Sequence, residues 1–377
     1  MAGRQGVPIS GRVKYPAWCN WACASSGKAV VSFGLVSLLT GLGWNAHWEA
    51  AYAPFAASHI AGRIRIVHRG IFNIFTENGE YDAEPSPKLR QGKDRAVTGD
   101  WVALSADGTR IEAILPRQTA FVRRDPGDKM RPQVIAANAD VAFLVMGLDL
   151  DYNIRRLERY LYLTAESGAR PVIVLNKSDL CADLQTRVSE CEKLAPVVAL
   201  NALAGNGLDL LSAHMKPGET AVLLGSSGAG KSTIANRLRG SELIRTAPVR
   251  ESDSKGRHTT THRELIQLDL GWLLMDVPGL RGLQIWTPTN PQALDIAFAD
   301  IAALLAQGCR FRDCRHQEDP GCVIREALDN GSLDEGRWAN YLKLLGELAK
   351  LGLATDLQAK ERENQRWKNL QKKQRER

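Results

Sequence analysis

Two short motifs of nucleotide-binding proteins occur in this chain in an unusual order. Gly225-Ser226-Ser227-Gly228-Ala229-Gly230-Lys231-Ser232 matches the phosphate-loop pattern G-x-x-x-x-G-K-S, yet Asn176-Lys177-Ser178-Asp179, a guanine-reading N-K-x-D motif, precedes it. A candidate Mg²⁺-holding segment, Asp276-Val277-Pro278-Gly279, comes later. In an ordinary small GTPase the phosphate loop comes first and N-K-x-D lies near the end. The order here therefore predicts a circularly permuted nucleotide-binding domain.

The phosphate loop has the flanking elements that its function requires. A predicted buried strand, Thr220–Leu224, precedes it, and a predicted helix begins at Ser232 and Thr233. Glycines let backbone N–H groups surround anionic oxygens, and the helix N-terminus adds partial positive charge. We expect Lys231 to reach the β- and γ-phosphates and the Ser232 hydroxyl to bind Mg²⁺. A Gly/Ser turn with an unrelated lysine is the alternative, and the context disfavours it.

The N-K-x-D motif follows a predicted buried strand, Arg170–Leu175, which delivers it to the carboxyl edge of a sheet, where open α/β sheets bind ligands. Asp179 can accept two hydrogen bonds from guanine, Asn176 can bond the base, and the Lys177 stem can pack along the base. Adenine would leave the Asp179 carboxylate unpaired, so selectivity should be large. The alternative is a polar turn after a strand.

A second base-contacting loop follows the predicted strand Pro196–Leu200. Asn201-Ala202-Leu203-Ala204-Gly205-Asn206-Gly207 resembles the pattern S-A-x-x-G-x-G, with Asn201 where serine is usual. Asn201 and Ala202 are therefore candidate base contacts, and the departure leaves the role of Asn201 open.

Two segments are candidates for sensing the γ-phosphate. Within residues 256–262, Thr260 is the favoured hydroxyl for Mg²⁺ and the γ-phosphate, with Thr259 second. Asp276 would hold Mg²⁺ through water, and the Gly279 N–H would bond the γ-phosphate. Order gained on these contacts and lost on hydrolysis is the usual switch behaviour.

The residue after Gly279 is unusual for a hydrolase of this kind. Leu280 stands where Ras-like enzymes carry a water-orienting glutamine, and leucine cannot orient water. We therefore expect slow intrinsic hydrolysis that another group or a partner completes. His258 is a candidate catalytic group, although a histidine in a polar loop is equally consistent with a structural role.

A compact set of metal ligands lies further along the chain. Cys309-x4-Cys314-x-His316-x5-Cys322 supplies three thiolates and one imidazole, a complete tetrahedral set for one structural Zn²⁺ ion. Disulfides are disfavoured because a GTP enzyme belongs in a reducing compartment.

Short strands and tight turns precede the nucleotide motifs. Trp101–Leu115 reads as a hairpin with an Asp-Gly turn, and Arg63–Val67 and Ile71–Phe75 read as further strands. Together they predict a small β-barrel of the oligonucleotide-binding type, either for nucleic acid or as an inert interaction module. Basic residues that could face phosphates are Arg90, Lys93, Arg95, Arg110, Arg117, Arg123 and Arg124.

The charge balance favours a polyanionic partner. The formal net charge is +7, and the segment 356–377 is rich in lysine and arginine, so it is either a solvated helix or an arm that orders on RNA. Composition does not separate RNA from DNA or an acidic membrane.

Together these motifs resemble the RsgA (YjeQ) family of bacterial ribosome-dependent GTPases. The resemblance rests on the permuted order, Gly-Arg-His-Thr-Thr-Thr at 256–261, Asp-x-Pro-Gly at 276–279 and Cys-Arg-Phe-Arg-Asp-Cys at 309–314. It implies an N-terminal OB-fold, a permuted P-loop GTPase domain and a helical zinc-binding domain. It also implies hydrolysis of Mg²⁺-bound GTP to GDP, stimulated by the small ribosomal subunit and its rRNA, in a cytoplasmic monomer with no membrane role.

The motifs suggest a multidomain α/β chain with five parts. We expect an N-terminal extension and helix at 1–58, the OB-fold at 59–122, the permuted domain at 130–290, the zinc domain at 291–350 and a basic tail at 351–377. Residues 29–39 superficially resemble a signal-peptide core, but no apolar run is long enough to cross a bilayer. We interpret the first thirty residues as an extension without a recognised role.

Three functions compete at this point. The first is a GTPase that drives or checks late maturation of the small ribosomal subunit. The second is a GTP-controlled RNA-binding scaffold with incidental hydrolysis. The third is a P-loop kinase or ATPase, which Asp179 disfavours.

Overall fold

Strands dominate the N-terminal two thirds of the structure and helices the remainder. The computed structural model describes residues 38–68, 70–92, 94–124, 132–149, 151–240, 263–276, 290–317 and 319–352. The strands are β1 (Ile60–His68), β2 (Ile71–Thr76), β3 (Gly79–Pro85), β4 (Trp101–Leu104), β5 (Arg110–Ile114), β6 (Ala120–Arg124), β7 (Pro132–Ala137), β8 (Val141–Gly147), β9 (Arg170–Asn176), β10 (Val197–Leu200), β11 (Thr220–Gly225), β12 (Glu264–Gln267) and β13 (Leu273–Asp276).

The helices lie before, between and after these strands. They are α1 (Leu38–Gly41), α2 (Ala46–Tyr52), α3 (Pro87–Gln91), α4 (Ile154–Ser167), α5 (Leu184–Glu192), α6 (Lys231–Leu238), α7 (Ala293–Ala297), α8 (Ala299–Gln307), α9 (Val323–Asp329) and α10 (335–352). No helix within the ranges given above combines the length and the apolar character needed to cross a membrane.

The first five strands close into the predicted barrel. Their order is β1-β2-β3-β5-β4, β4 pairs back with β1, and β3 runs parallel to β5. This order is that of a five-stranded Greek-key barrel of the oligonucleotide-binding type. Alternate side chains such as Ile64, Ile74 and Ile111 fill its interior. The predicted fold class is confirmed for this part of the chain.

One basic residue of the barrel has a structural role. Arg117 forms two hydrogen bonds of 2.7 Å with the carboxylate of Asp100, whose side chain is fully buried. Asp100 also accepts a 2.8 Å bond from the Val97 N–H. Arg117 therefore supports the barrel core rather than offering a free charge to a phosphate.

The nucleotide-binding motifs lie on a second group of strands in the order β10-β9-β8-β11-β13-β12. The first five run parallel and β12 is antiparallel at the edge. All seven residues of β8 are buried. Val141, Phe143 and Val145 face one apolar cluster, whereas Ala142 and Leu144 face the other. Both faces are thus covered, as parallel sheets require.

Arg63 joins the barrel to the nucleotide-binding part. Its side chain is almost fully buried and donates to the backbone oxygens of Leu42, Gly99 (3.3 Å) and Asn138 (2.8 Å). The guanidinium also lies 5.3 Å from the centre of the Trp101 ring. Burial lowers the pKa of Arg63 to about 10. Neutral oxygens from distant parts of the chain thus replace the water around this cation.

The C-terminal helices bind α4 through a buried carboxylate. Glu158 is 1% exposed and accepts hydrogen bonds from Arg155 (2.6 Å), Arg337 (3.1 Å) and Asn340 (2.6 Å). Arg337 also makes two bonds, of 2.7 and 2.6 Å, to Asp300 on α8. Helices α4, α8 and α10 therefore share one charged network.

We predict that Arg63→Met lowers the free energy of unfolding by about 3 kcal/mol, because three buried carbonyl groups each lose one hydrogen bond. Urea denaturation measures the change. Arg90→Met is the matched control, since Arg90 is exposed and pairs with exposed Glu84, and it should cost less than about 0.5 kcal/mol. Equal losses in the two variants would contradict a special role for Arg63.

Candidate nucleotide site and cysteine cluster

The two nucleotide motifs meet because their strands are near neighbours in the sheet. β8 lies between β9, which ends at Asn176, and β11, which ends at Gly225. Gly147 on β8 is the register partner of Asn176, and Val145 is the partner of Gly225. The carboxyl ends of these parallel strands therefore present both motifs at one edge.

Asn176 connects three of the predicted segments. Its side-chain amide, which is buried, donates to the backbone oxygen of Ala229 in the phosphate loop at 2.9 Å. Its side-chain oxygen accepts from the N–H of Ala202 in the second base loop at 3.0 Å. A Cβ at Gly230 would lie 2.0 Å from the Asn176 amide nitrogen, so only glycine fits there.

The phosphate loop has the backbone shape that its glycines allow. Gly225, Gly228 and Gly230 have φ values of 153°, 81° and 99°. α6 begins at Lys231 directly after the loop, with Ser232 and Thr233 in its first turn. The Lys231 ammonium donates to the backbone oxygens of Gly225 (2.8 Å) and Ser226. The ammonium therefore lies over the phosphate loop, to which Ser227 and Ala229 also belong.

The rest of the N-K-x-D motif follows β9 without a break. Lys177 has a left-handed backbone, with φ of 62°, and Asp179 lies in a short 3₁₀ turn, Ser178–Leu180. The Lys177 ammonium forms an ion pair with Asp149. Lys177 and Asp179 thus lie at the same sheet edge as the phosphate loop.

Asn201, which departs from the usual serine, organises its own loop. Its side-chain oxygen accepts from the Ala204 N–H at 3.1 Å, and its backbone exchanges hydrogen bonds with Asn206 at 3.0 and 3.1 Å. The asparagine therefore closes the loop that holds Ala202 against Asn176. A direct contact between Asn201 and the base remains a prediction.

Most of the predicted γ-phosphate sensors are not among the residues that the structure describes. Thr260, His258 and Gly279 lie outside the described residues. Asp276 is the last residue of β13, where it is the register partner of Glu264. β13 pairs with β11 up to Met275 and Val222, so this strand ends beside the C-terminal half of β11, shortly before the phosphate loop. The roles of these four residues stay predictions.

The three cysteines and the histidine come together as predicted. The ligand atoms of Cys309, Cys314, His316 and Cys322 all lie within 4.8 Å of one another. The His316 Nδ1 atom is 3.5, 3.7 and 3.4 Å from the three sulfurs in that order. Cys322 also accepts from the Arg325 N–H at the start of α9. Three soft thiolates and one imidazole fit a tetrahedral metal ion.

Two further residues at this sheet edge belong to none of the predicted motifs. Asp149 and Asp151 follow β8 and contact Lys177 and Ser226, respectively. The sequence feature that indicates them is the uninterrupted apolar run of β8, which is bounded by polar residues and predicts a buried strand that ends at this edge.

The permuted motif order, the parallel sheet and the phosphate loop together define a circularly permuted P-loop GTPase fold. The family model for the RsgA GTPase matches residues 114–286. The small ribosomal subunit biogenesis GTPase RsgA of Opitutus terrae is 44% identical over 352 residues, which cover 88% of this chain and 95% of the relative. The protein of the same name from Syntrophotalea carbinolica is 43% identical and covers 87% and 94%. This chain belongs to the RsgA GTPase family.

Solved structures agree with this assignment. YjeQ from Thermotoga maritima has 25% sequence identity and a TM-score of 0.60, over 77% of this chain and 99% of that one. YloQ, described as a circularly permuted GTPase, is 22% identical with a TM-score of 0.57, over 78% and 96%. The second likeness supports the fold alone.

We predict that Asn176→Ala weakens GDP binding by at least about tenfold, because a buried carbonyl and a buried N–H both lose their partner. Titration with a fluorescent GDP analogue measures the affinity. Asn330→Ala removes an exposed amide at the end of α9 and should leave the affinity unchanged. Wild-type affinity in Asn176→Ala would show that the three segments hold their places without this amide.

Proposed function

We propose that this protein is a GTPase that acts in the biogenesis of the small ribosomal subunit, drives or checks a late step of its maturation and contacts its rRNA. The observation that carries the proposal is the Asn176 side chain, which joins the guanine-reading motif, the phosphate loop and the second base loop. Two relatives that align over most of this chain bear that function in their names.

Binding follows from the groups at the sheet edge. The phosphate-loop N–H groups and the α6 N-terminus attract the phosphates, and Asp179 selects guanine. Lys231 moves from the Gly225 and Ser226 carbonyls to the β- and γ-phosphates when nucleotide binds. Ser232, Thr260 and Asp276 would hold Mg²⁺, which neutralises charge developing on the phosphates.

Hydrolysis needs a group that this chain does not supply in the usual place. Leu280 cannot orient the attacking water, so intrinsic turnover is slow. The Gly279 N–H bonds the γ-phosphate, and His258 or a ribosomal group completes the water site. Activation by the small subunit then couples hydrolysis to a correctly formed partner.

The cysteine cluster would hold one structural Zn²⁺ ion. All four donors come from the protein, which leaves no position for a catalytic water. Arg310, Arg312 and Arg315 lie in the same loop, so the ion would fix a basic surface suited to rRNA. The segments 59–122, 130–290 and 291–350 would then act as barrel, G domain and zinc domain in a cytoplasmic monomer.

We predict that small ribosomal subunits increase the GTP turnover of the purified protein by at least about tenfold, as partners that complete a GTPase site do. Large subunits serve as the control and should have no effect. Lys231→Ala should abolish both basal and stimulated phosphate release. Equal turnover with both subunits would contradict the small-subunit assignment, and ATP hydrolysis matching that of GTP would contradict the assignment as a GTPase.

A separate prediction concerns the metal. Protein purified without added metal should contain about one zinc ion per chain by mass spectrometry, and Cys314→Ser should lose most of it. Cys181→Ser is the matched control, because Cys181 lies in the nucleotide-binding part and outside the cluster. A zinc content that is zero in the wild type, or unchanged in Cys314→Ser, would refute the site.

A further inference from the structure

The loop after β8 leaves the sheet between the two nucleotide motifs. Gly147, the last residue of β8, is the register partner of Asn176, and the Leu148 N–H donates to the Asn176 backbone oxygen at 2.8 Å. On the other side of β8 lies β11, which carries the phosphate loop. Side chains of this loop can therefore contact both motifs at once.

Asp149 uses its two carboxylate oxygens in different directions. One oxygen accepts from the Asp151 N–H at 3.1 Å, which fixes the side chain to its own loop. The other accepts from the Lys177 ammonium. Lys177 has a left-handed backbone, which is unfavourable for any residue with a Cβ. The ion pair thus fixes the direction in which the Lys177 side chain leaves this unfavourable backbone.

Asp151 repeats this arrangement on the phosphate-loop side. One carboxylate oxygen accepts from the Arg156 guanidinium at 2.7 Å, and the same guanidinium donates to the Asp151 backbone oxygen. The other oxygen accepts from the Ser226 hydroxyl. Arg156 lies in the first turn of α4, so Asp151 connects the phosphate loop to a long helix.

Two carboxylates beside a phosphate site would ordinarily repel a nucleotide. Here each is matched by a cation, Asp149 by Lys177 and Asp151 by Arg156. Burial alone would raise the pKa of Asp149, but the hydrogen bond and the charge of Lys177, with backbone N–H groups, lower it overall. Asp149 is therefore ionised at neutral pH, and its charge is balanced locally.

We propose that Asp149 and Asp151 are positioning residues for guanine-nucleotide binding, Asp149 acting through Lys177 and Asp151 through Ser226. The inference rests on the proposed function of this edge as a GTP site. Neither carboxylate is expected to touch the nucleotide. Each holds a nucleotide-contacting segment in its binding geometry, which reduces the ordering that binding requires.

A double-mutant cycle tests the Asp149 contact, with Asp149→Asn, Lys177→Met and the double variant, and with a fluorescent GDP analogue as the probe. Asp149→Asn should weaken binding by roughly fivefold to tenfold, mainly through faster release. In the Lys177→Met background the same change should have an effect below about twofold, because the ammonium that Asp149 holds is gone. A purely electrostatic role predicts the opposite sign, since removal of a negative charge would tighten binding.

Two comparisons separate positioning from other effects. Asp183→Asn removes the same charge from an exposed residue that pairs with Arg187, and it should change the affinity by less than about twofold. The ratio of GDP to IDP affinity should stay constant in Asp149→Asn and collapse in Asp179→Asn, because Asp179 reads the exocyclic amine. A changed ratio in Asp149→Asn would overturn the assigned route through Lys177.

The remaining outcomes are distinct. A wild-type protein that binds ADP as well as GDP would overturn the proposed function itself. A guanine-selective wild type with Asp149→Asn of equal or higher affinity would overturn only the positioning role, as would an undiminished effect in the Lys177→Met background. Should Asp149→Asn fail to fold, Ser226→Ala removes one hydroxyl only and should weaken binding by about threefold. In the Ser226→Ala background, adding Asp151→Asn should cause no further loss of affinity for the GDP analogue.

Discussion

The nucleotide site depends on one buried amide, that of Asn176. It bonds the phosphate loop through Ala229 and the loop at 201–207 through Ala202, and it lies at the end of the strand that leads into the N-K-x-D motif. These contacts exist because β9, β8 and β11 run parallel and end at one edge. The order of strands in space sets this edge, whereas the order along the chain sets only the connections. A circular permutation therefore preserves the site.

The permuted chain order also determines that the barrel adjoins the nucleotide-binding sheet. The barrel precedes β8, and its first strand pairs with β12 through Ile66 and Glu264. Glu264 further bonds Arg65 of the barrel at 3.0 Å and Arg239, after α6, at 2.6 Å. With the buried Arg63, these contacts fix the barrel against the nucleotide-binding sheet through specific directional bonds. Any rotation of the barrel would take the buried Arg63 guanidinium away from the Leu42 and Asn138 oxygens, which is costly.

Local patterns were sufficient to predict the motifs, the barrel class and the metal cluster, since each depends on residue types at short spacing. The cluster spans residues 309–322, and its four ligand atoms meet as the spacing predicts. The contacts of Arg63 were not predictable in this way. Its partner Asn138 is distant in sequence, and a neutral backbone oxygen carries no residue signal. β8 is an apolar strand that matches no nucleotide-binding motif, so motif patterns do not point to Asp149 and Asp151, which follow it.

The Glu158 network adds a physical link between the nucleotide site and the C-terminal helices. In the first turn of α4, Arg156 bonds Asp151, which in turn accepts from Ser226 of the phosphate loop. Further along the same helix, Glu158 accepts from Arg337 and Asn340 on α10. The Trp338 ring on α10 lies 5.9 Å from the His316 ring of the cysteine cluster. Along the chain, the nucleotide-binding part is also joined to the cysteine cluster by the segment after Asp276. The α4 route is independent of that segment, because side chains rather than chain continuity form it. A movement of the C-terminal helices away from α4 would take the Arg337 and Asn340 donors from the buried Glu158 carboxylate and leave it only Arg155 on its own helix, so α4 and α10 should move together.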